Sequence, residues 1–212
     1  MRGLFITFEG TEGSGKTTII EAIWNHLTSL GYDCIKTREP GGSVISEEIR
    51  HVILDPKNTK MDAKTEVLLY AASRRQHLIE VVLPALARGT IVLCDRYVDS
   101  SLAYQGCARD IGFQEVYELN QFAIQKQMPD LTLYIDVRPE VGLARIQSNH
   151  RIQDRLDLEA IDFHKKVYAG YEEVLRRFPE RVIRINGEQT VPQVVQEAMK
   201  ALTHFLESYH GL

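Results

Sequence analysis

The sequence predicts a three-layer α/β fold, with a central parallel sheet flanked by helices on both faces. Short apolar runs rich in β-branched residues recur along the chain: LFITFE at 4–9, YDCIKT at 32–37, TIVLCD at 90–95, LTLYID at 131–136 and RVIRIN at 181–186. Long amphipathic stretches separate them. Continuous apolar strands joined through helices belong to βα units, because a parallel sheet covered on both sides buries such strands completely. The five runs give a five-stranded parallel sheet. No repeat, low-complexity tract or shift of composition divides the 212 residues, so 1–212 reads as a single domain.

Helical spacing marks the connections. Thr17 to Leu30 carries apolar residues at helical intervals and stops at Gly31. Residues 62–87 place Leu68, Leu69, Ala72, Leu78, Val81 and Val82 on such a pattern and continue past Pro84. A long helix with a kink or break follows, because proline donates no main-chain hydrogen bond. Further helices are predicted at 141–147 and 157–178, on either side of the polar stretch SNHRIQD, and from about 192 to 209. The polar segments near 41–60 and 148–156 read as mobile flaps on the domain.

Composition narrows the function classes. Hydrophobic residues make up 44% and charged residues 25%, which fits a globular protein and removes fibrous and disordered classes. A formal net charge of -4 gives no general attraction to nucleic acid, so anionic ligands must be held by local arginines and lysines. Cys34, Cys94 and Cys107 are odd in number and lack CxxC spacing, which argues against a disulfide framework or zinc site and for a reducing, cytoplasmic location. The N-terminal apolar run meets Glu9 and Glu12 at once and reads as a strand, not a signal peptide. No stretch approaches the roughly 18 apolar residues that cross a bilayer.

The first strand leads into Gly10-Thr11-Glu12-Gly13-Ser14-Gly15-Lys16-Thr17, with Thr18 next, and then into a helix. This is GxxxxGK[ST] in its required strand–loop–helix setting, the mark of a P-loop NTPase fold. The glycines let successive N–H groups point inward, and the helix N-terminus adds a positive dipole end. Lys16 would reach the β and γ phosphates, and the Thr17 hydroxyl would ligate Mg²⁺. A glycine-rich turn can match the pattern by chance; the flanking elements and the Lys-Thr pair favour polyphosphate.

Asp95 closes the strand TIVLCD at the sheet edge where open α/β sheets bind ligands. It can orient a metal or its water shell, or serve as a turn or cap. Arg96 follows, and its planar fork can bridge donor and acceptor phosphates. Arg38 precedes Glu39-Pro40-Gly41-Gly42, a turn at the same sheet edge. Arg74 and Arg75 lie on the long helix, where a solvated face is the default for an arginine.

At this point the chain resembles the bacterial thymidylate kinases. The resemblance rests on FEGTEGSGKTT at 8–18, TREPGG at 37–42, EEIR at 47–50, AASRRQH at 71–77, DRYVDSSLAYQG at 95–106, PDLTLYIDV at 129–137 and DRLD at 154–157. The pairing of TREPGG with DRYxxSSLAYQG is specific. The resemblance implies transfer of the γ-phosphoryl group of ATP to dTMP with Mg²⁺, by a homodimer. It places the thymine ring on Tyr70, with Arg74, Ser101 and Gln105 as its polar contacts. Arg38, Arg50 and Arg96 hold the acceptor phosphate, with Glu39 and Pro40 beside it. Glu12 accepts a hydrogen bond from the 3′-hydroxyl, and Tyr104 lies against the sugar's 2′ position. Residues 148–156 resemble a lid, and the loop at Asn186 and Gly187 resembles the wall beside adenine. Position 70 is Tyr where the family leads us to expect Phe, so its hydroxyl needs a partner.

The P-loop holds no arginine between Gly10 and Lys16, so charge on the transferring group must be met from elsewhere. Arg151 and Arg155 stand at i and i+4, on one face if the lid becomes helical, and both could then reach ATP. Alternatively they lie on a surface helix and pair with Asp154 and Asp157. Other monophosphate kinases, a nucleotide switch and a nucleic-acid ATPase are the rival functions. No NKxD-like segment supports a GTPase, and the acidic charge disfavours a nucleic-acid partner.

Overall fold

The computed structural model describes residues 2–148 and 154–209. One sheet holds β1 (Phe5–Glu9), β2 (Cys34–Arg38), β3 (Ile91–Asp95), β4 (Leu131–Asp136) and β5 (Val182–Asn186), all parallel, in the order β2-β3-β1-β4-β5. The central strand β1 pairs Phe5 with Val92 on one side and Ile6 with Leu131 on the other.

Alternation along the strands sorts the core into two layers. Phe5, Val92, Cys94 and Tyr134 face the layer built by α3 (Ala63–His77), α6 (Phe113–Ile124) and α8 (Ile161–Arg177). Ile6, Phe8, Leu93, Leu133 and Ile135 face α1 (Lys16–Ser29) and α9 (Val191–Ser208). The chain builds β2 and β3 on one side of β1 and then crosses to β4 on the other. A crevice therefore opens at the C-terminal end of β1, where ligands bind in open α/β sheets.

The five strands and the expected helices are present, with instructive differences. The helix around Pro84 does not break: α3 runs through a π-helical turn, Leu78–Val82, into α4 (Leu83–Ala87). The widened turn falls where the proline ring would crowd the carbonyl four residues back. The expected flap at 41–60 is corrected. Helix α2 (Val44–Leu54) fills most of it, with Ile53 in the core and the Ser46 hydroxyl donating to the Ser73 carbonyl at 2.8 Å. That hydroxyl ties α2 to α3, so polar composition here reflects helix–helix bonding, not mobility.

A short helix, α5 (Val98–Ser101), continues into a π-helical segment, Leu102–Ala108, ahead of α6. Helix α7 (Pro139–Ser148) leads to the predicted lid, of which 149–153 lie outside the described residues. Its C-terminal part is docked: the Arg155 amide donates to the Leu54 carbonyl of α2 at 3.2 Å. Asp154 accepts from the amides of Leu156 and Asp157 at 2.9 and 3.0 Å, which holds a turn and delays α8 to Ile161.

Candidate active site

The loop between β1 and α1 curls because three glycines take positive φ: Gly10 at 153°, Gly13 at 70° and Gly15 at 91°. Gly13 is also a contact point. A Cβ there would meet the Gly142 carbonyl oxygen of α7 at 2.1 Å, and a Cβ on Gly142 would meet the Glu12 carbonyl oxygen at 2.1 Å. Thr11 secures the loop from behind by donating to the Val137 carbonyl at 2.9 Å.

Lys16 folds back over the loop. Its Nζ donates to the carbonyls of Gly10 and Thr11 and to Ser14 Oγ, each at 3.2 Å. Burial and, secondarily, the charge of Arg96 lower its pKa to about 8. Those neutral oxygens compensate the ammonium only in part, and an arriving phosphate would complete the pairing.

Two pockets open at this sheet edge, and both include Gly13, Ser14 and Gly15. The first takes in Arg38, Arg50, Arg74 and Arg96 together with Tyr70 and Gln105. Arg38 is held by both carboxylate oxygens of Glu47, at 2.9 and 3.0 Å. Arg50 donates to the Pro40 carbonyl at 2.8 Å, and burial, then the charge of Arg38, pulls its pKa down. Like charges gathered in a half-buried pocket favour an anionic guest. The second pocket is bounded by Thr18, Arg145, Gly187 and Gln189.

Arg96 occupies the centre. The chain turns there in the left-handed region (φ 68°), and the Arg96 amide donates to the Phe8 carbonyl at 2.9 Å, joining β3's end to β1. One guanidinium nitrogen donates to Ser100 Oγ and Tyr171 Oη, each at 3.1 Å; the other donates to Glu12 Oε1 at 2.8 Å. Tyr104 Oη donates to the same Glu12 oxygen at 2.9 Å. Behind this layer, buried Glu9 accepts from the Tyr97 amide, Ser100 Oγ and Tyr171 Oη at 2.7, 2.6 and 2.8 Å. Burial and the neighbouring Asp99 push its pKa up to about 7.

Arg74 is fully buried and largely committed. Nε donates to Glu39 Oε2 at 2.7 Å, one terminal nitrogen to Ser101 Oγ at 3.0 Å and to Asn120 Oδ1, and the other to the Tyr97 carbonyl at 3.0 Å. These bonds take four of its five N–H groups. One donor is left for a ligand. The support extends to His77, which meets Glu39 Oε1 at 2.8 Å through Nδ1 and Thr37 Oγ1 at 2.6 Å through Nε2. A carboxylate only accepts, so Nδ1 carries the proton.

A sequence profile described as thymidylate kinase matches residues 8–198, which span the loop, both pockets and the docked segment. The chain belongs to the thymidylate kinase family. It is 56% identical over 207 residues to the thymidylate kinase of Oceanobacillus iheyensis, covering 97% of this chain and 92% of the relative. It is 58% identical over 197 residues to that of Clostridium novyi, covering 92% and 96%. The crystal structure of thymidylate kinase from Ehrlichia chaffeensis superposes with a TM-score of 0.77 at 30% identity, over 96% of this chain and 99% of that one.

Thymidylate kinase motifs therefore meet in space here. Glu12, Lys16, Thr17, Arg38, Glu39, Pro40, Arg50, Tyr70, Arg74, Asp95, Arg96, Tyr104 and Gln105 all border the first pocket. Ser101 does not; it stands behind Arg74 as an acceptor. Gly10 and Thr11 offer their carbonyls to Lys16 and border neither pocket. Arg75 is tied to the Ala123 carbonyl at 3.2 Å, away from the site. The Tyr70 hydroxyl finds no partner among the described residues.

Arg155 stands apart from the first pocket in this structure. Its side chain donates to the Ile53 carbonyl at 2.9 Å and to Glu66 Oε2 at 2.5 Å, and it is not among the pocket residues. Neither phosphate contact nor pairing with Asp154 describes it in this state, because buried Glu66 claims the cation. Arg151 lies outside the described residues. The supporting acids Glu9 and Glu66 and the imidazole of His77 escape sequence reading. The signals were thin: Glu9 is a charge ending an apolar strand, Glu66 lies four residues before Tyr70, and His77 three after Arg74.

Proposed function

We infer that the protein transfers the γ-phosphoryl group of ATP to dTMP, giving dTDP and ADP for dTTP synthesis. The observation that carries this is the pair of pockets sharing Gly13, Ser14 and Gly15, one ringed by arginines and Tyr70 and the other flanked by Gly187. On this reading dTMP occupies the first, its ring against Tyr70 and Arg74 and its phosphate among Arg38, Arg50 and Arg96. ATP lies along Gly10–Thr18 with adenine towards the second. No general base is needed, since a phosphate monoester is already an anion near neutrality, with its second pKa around 6. Lys16 and Arg96 then meet charge on the transferring group from two sides.

Asp95 Oδ1 is buried without a hydrogen-bond partner, and Thr17 borders the same pocket. A lone carboxylate beside a phosphate loop suits Mg²⁺, which keeps several waters and takes few protein ligands. Bound there with ATP, Mg²⁺ would neutralise phosphate charge. Among the described residues no group of three or more acidic, His or Cys side chains forms a metal cage, so the phosphates would complete its shell.

We read residues 1–212 as one catalytic unit whose segment near 148–156 closes over ATP. A homodimer belongs to the same reading: Leu68, Ile79 and Phe122 are 56%, 42% and 86% exposed on the neighbouring α3–α6 layer. Sedimentation as a single 24.2 kDa chain would oppose it. Among the described residues no helix is long and apolar enough to cross a membrane. Three free cysteines suit a reducing cytoplasm, and nothing in the net charge of -4 favours a nucleic-acid partner.

The direct test is ADP release with ATP, Mg²⁺ and each nucleoside monophosphate in turn. dTMP should exceed dCMP by ~10²-fold or more in kcat/KM, and equal rates would refute the assignment.

Acidity offers a second check. Free Lys16 loses its proton around pH 8, so kcat/KM for ATP should fall as pH rises through that value. Bound phosphates stabilise the ammonium, so kcat should hold to higher pH. Coincident profiles for the two parameters would argue against Lys16 as the phosphate contact.

With Arg155 committed to Glu66, Arg151 is the lid arginine left to reach the transferring group. Arg151→Ala should lower kcat with little change in KM for dTMP. Arg155→Ala should instead destabilise the fold by about 2 kcal/mol, the scale of a hydrogen bond to a charged group, since Arg109 and Gln105 still hold Glu66. Denaturant melts and steady-state kinetics on both variants separate the roles; a stability loss confined to Arg151→Ala would reverse them.

A further inference from the structure

Gln105 is buried on the π-helical segment after α5, and its amide is held from one side. Nε2 donates to Glu66 Oε1 at 2.8 Å, while its carbonyl oxygen takes no hydrogen bond from any described residue. Glu66 is itself buried and lies within 3.2 Å of Arg109 and 2.5 Å of Arg155. Burial would raise its pKa, but the bond from Gln105 and the two arginines outweigh burial and hold it below the usual carboxylate range. Glu66 is thus an ionised carboxylate with no proton to give.

The consequence for Gln105 is chemical. An amide presents either N–H₂ or C=O along a given direction, and only N–H₂ can pair with a carboxylate. The C=O must point away from Glu66, and Gln105 borders the pocket together with Tyr70 and Arg74. A thymine ring offers an imide N–H there, which a carbonyl accepts. A cytosine ring offers a bare ring nitrogen, which would face the same oxygen lone pair to lone pair.

We propose that Glu66 is a specificity-determining positioning residue: by locking the Gln105 amide with its oxygen towards the pocket, it makes the site select an imide N–H over a ring-nitrogen acceptor. The proposal rests on the reading that this pocket holds the acceptor base. Glu66 touches no substrate; it acts through Gln105. Arg109 and Arg155 keep it ionised, so the docked end of the lid segment also serves base selection.

The test measures kcat/KM for dTMP and dCMP at saturating ATP in the native protein and in Glu66→Gln, Glu66→Asp and Gln105→Met. A glutamine at 66 can pair with Gln105 in either orientation, so the dTMP:dCMP ratio should fall about tenfold or more. If Glu66 is only structural, both substrates lose equally and the ratio stands, which overturns the proposal. Should Glu66→Gln fail to fold, Glu66→Asp keeps the charge for both arginines but withdraws the carboxylate from Gln105, and the same fall is expected; an unchanged ratio there is equally fatal. Gln105→Met separates the two levels. A ratio lost in Gln105→Met but kept in the Glu66 variants refutes the positioning role alone. A ratio kept in Gln105→Met as well refutes base reading by Gln105, and the proposal falls with it.

Discussion

Lys16→Ala should lower kcat by about 10³-fold, the scale at which a preorganised charge in a water-excluded site stabilises a transition state. The fold should survive, because among the described residues every hydrogen bond of the Lys16 side chain is to its own loop. ATP should still bind, more weakly, through the main-chain N–H groups that the glycine-bent loop presents. Single-turnover transfer and a thermal melt together decide the matter. A variant that melts like the native protein yet turns over within about tenfold of it would remove Lys16 from the chemistry.

Arg96→Ala should be at least as damaging, lowering kcat/KM for dTMP by about 10³-fold or more. The loss has two parts. The bridge between Ser100, Tyr171 and Glu12 disappears, and the Glu12 carboxylate loses the guanidinium that screens it from an incoming phosphate dianion. Removing both charges is therefore less harmful than the sum of the single losses, so Arg96→Ala combined with Glu12→Gln should show clear coupling. Arg96→Lys should recover little, since a single ammonium cannot span partners on both arms of the fork. Near-native kinetics in Arg96→Lys would reduce the site's central residue to a point charge.

Much of this arrangement was legible from the residues. The five strands announce themselves because a sheet buried on both faces tolerates little but apolar side chains, and the phosphate loop because backbone curvature demands glycine at fixed offsets. Arg38, Arg50, Arg74 and Arg96, each named by a motif, border one pocket. Helix α2 is weakly marked in the sequence because it is fastened by hydroxyls such as Ser46 and presents Val44 and Ile45 outward, at 80% and 51% exposure, which blurs the helical pattern at its start. The partner of Arg155 could not be read for a different reason. Charge pairing between residues 89 positions apart, as with Glu66, leaves no local trace in a sequence. Spacing suggests which residues share a face; it does not say which acid across the fold claims an arginine.

The mutual contact of Gly13 and Gly142 carries a consequence for how such a chain can vary over generations. Most packing faults admit a remedy, since a neighbour can shrink when a residue grows. Here both neighbours are already minimal, and each would drive a new methyl to 2.1 Å from a main-chain oxygen of the other segment. No second substitution at either position restores room. The only remedy is to translate helix α7 bodily away from the phosphate loop, which would carry Arg145 and Ser148 away from the pocket they border with Gly15. Position 142, far from the loop in the sequence, is therefore constrained as part of it, because a side chain on either side of this crossing meets main chain.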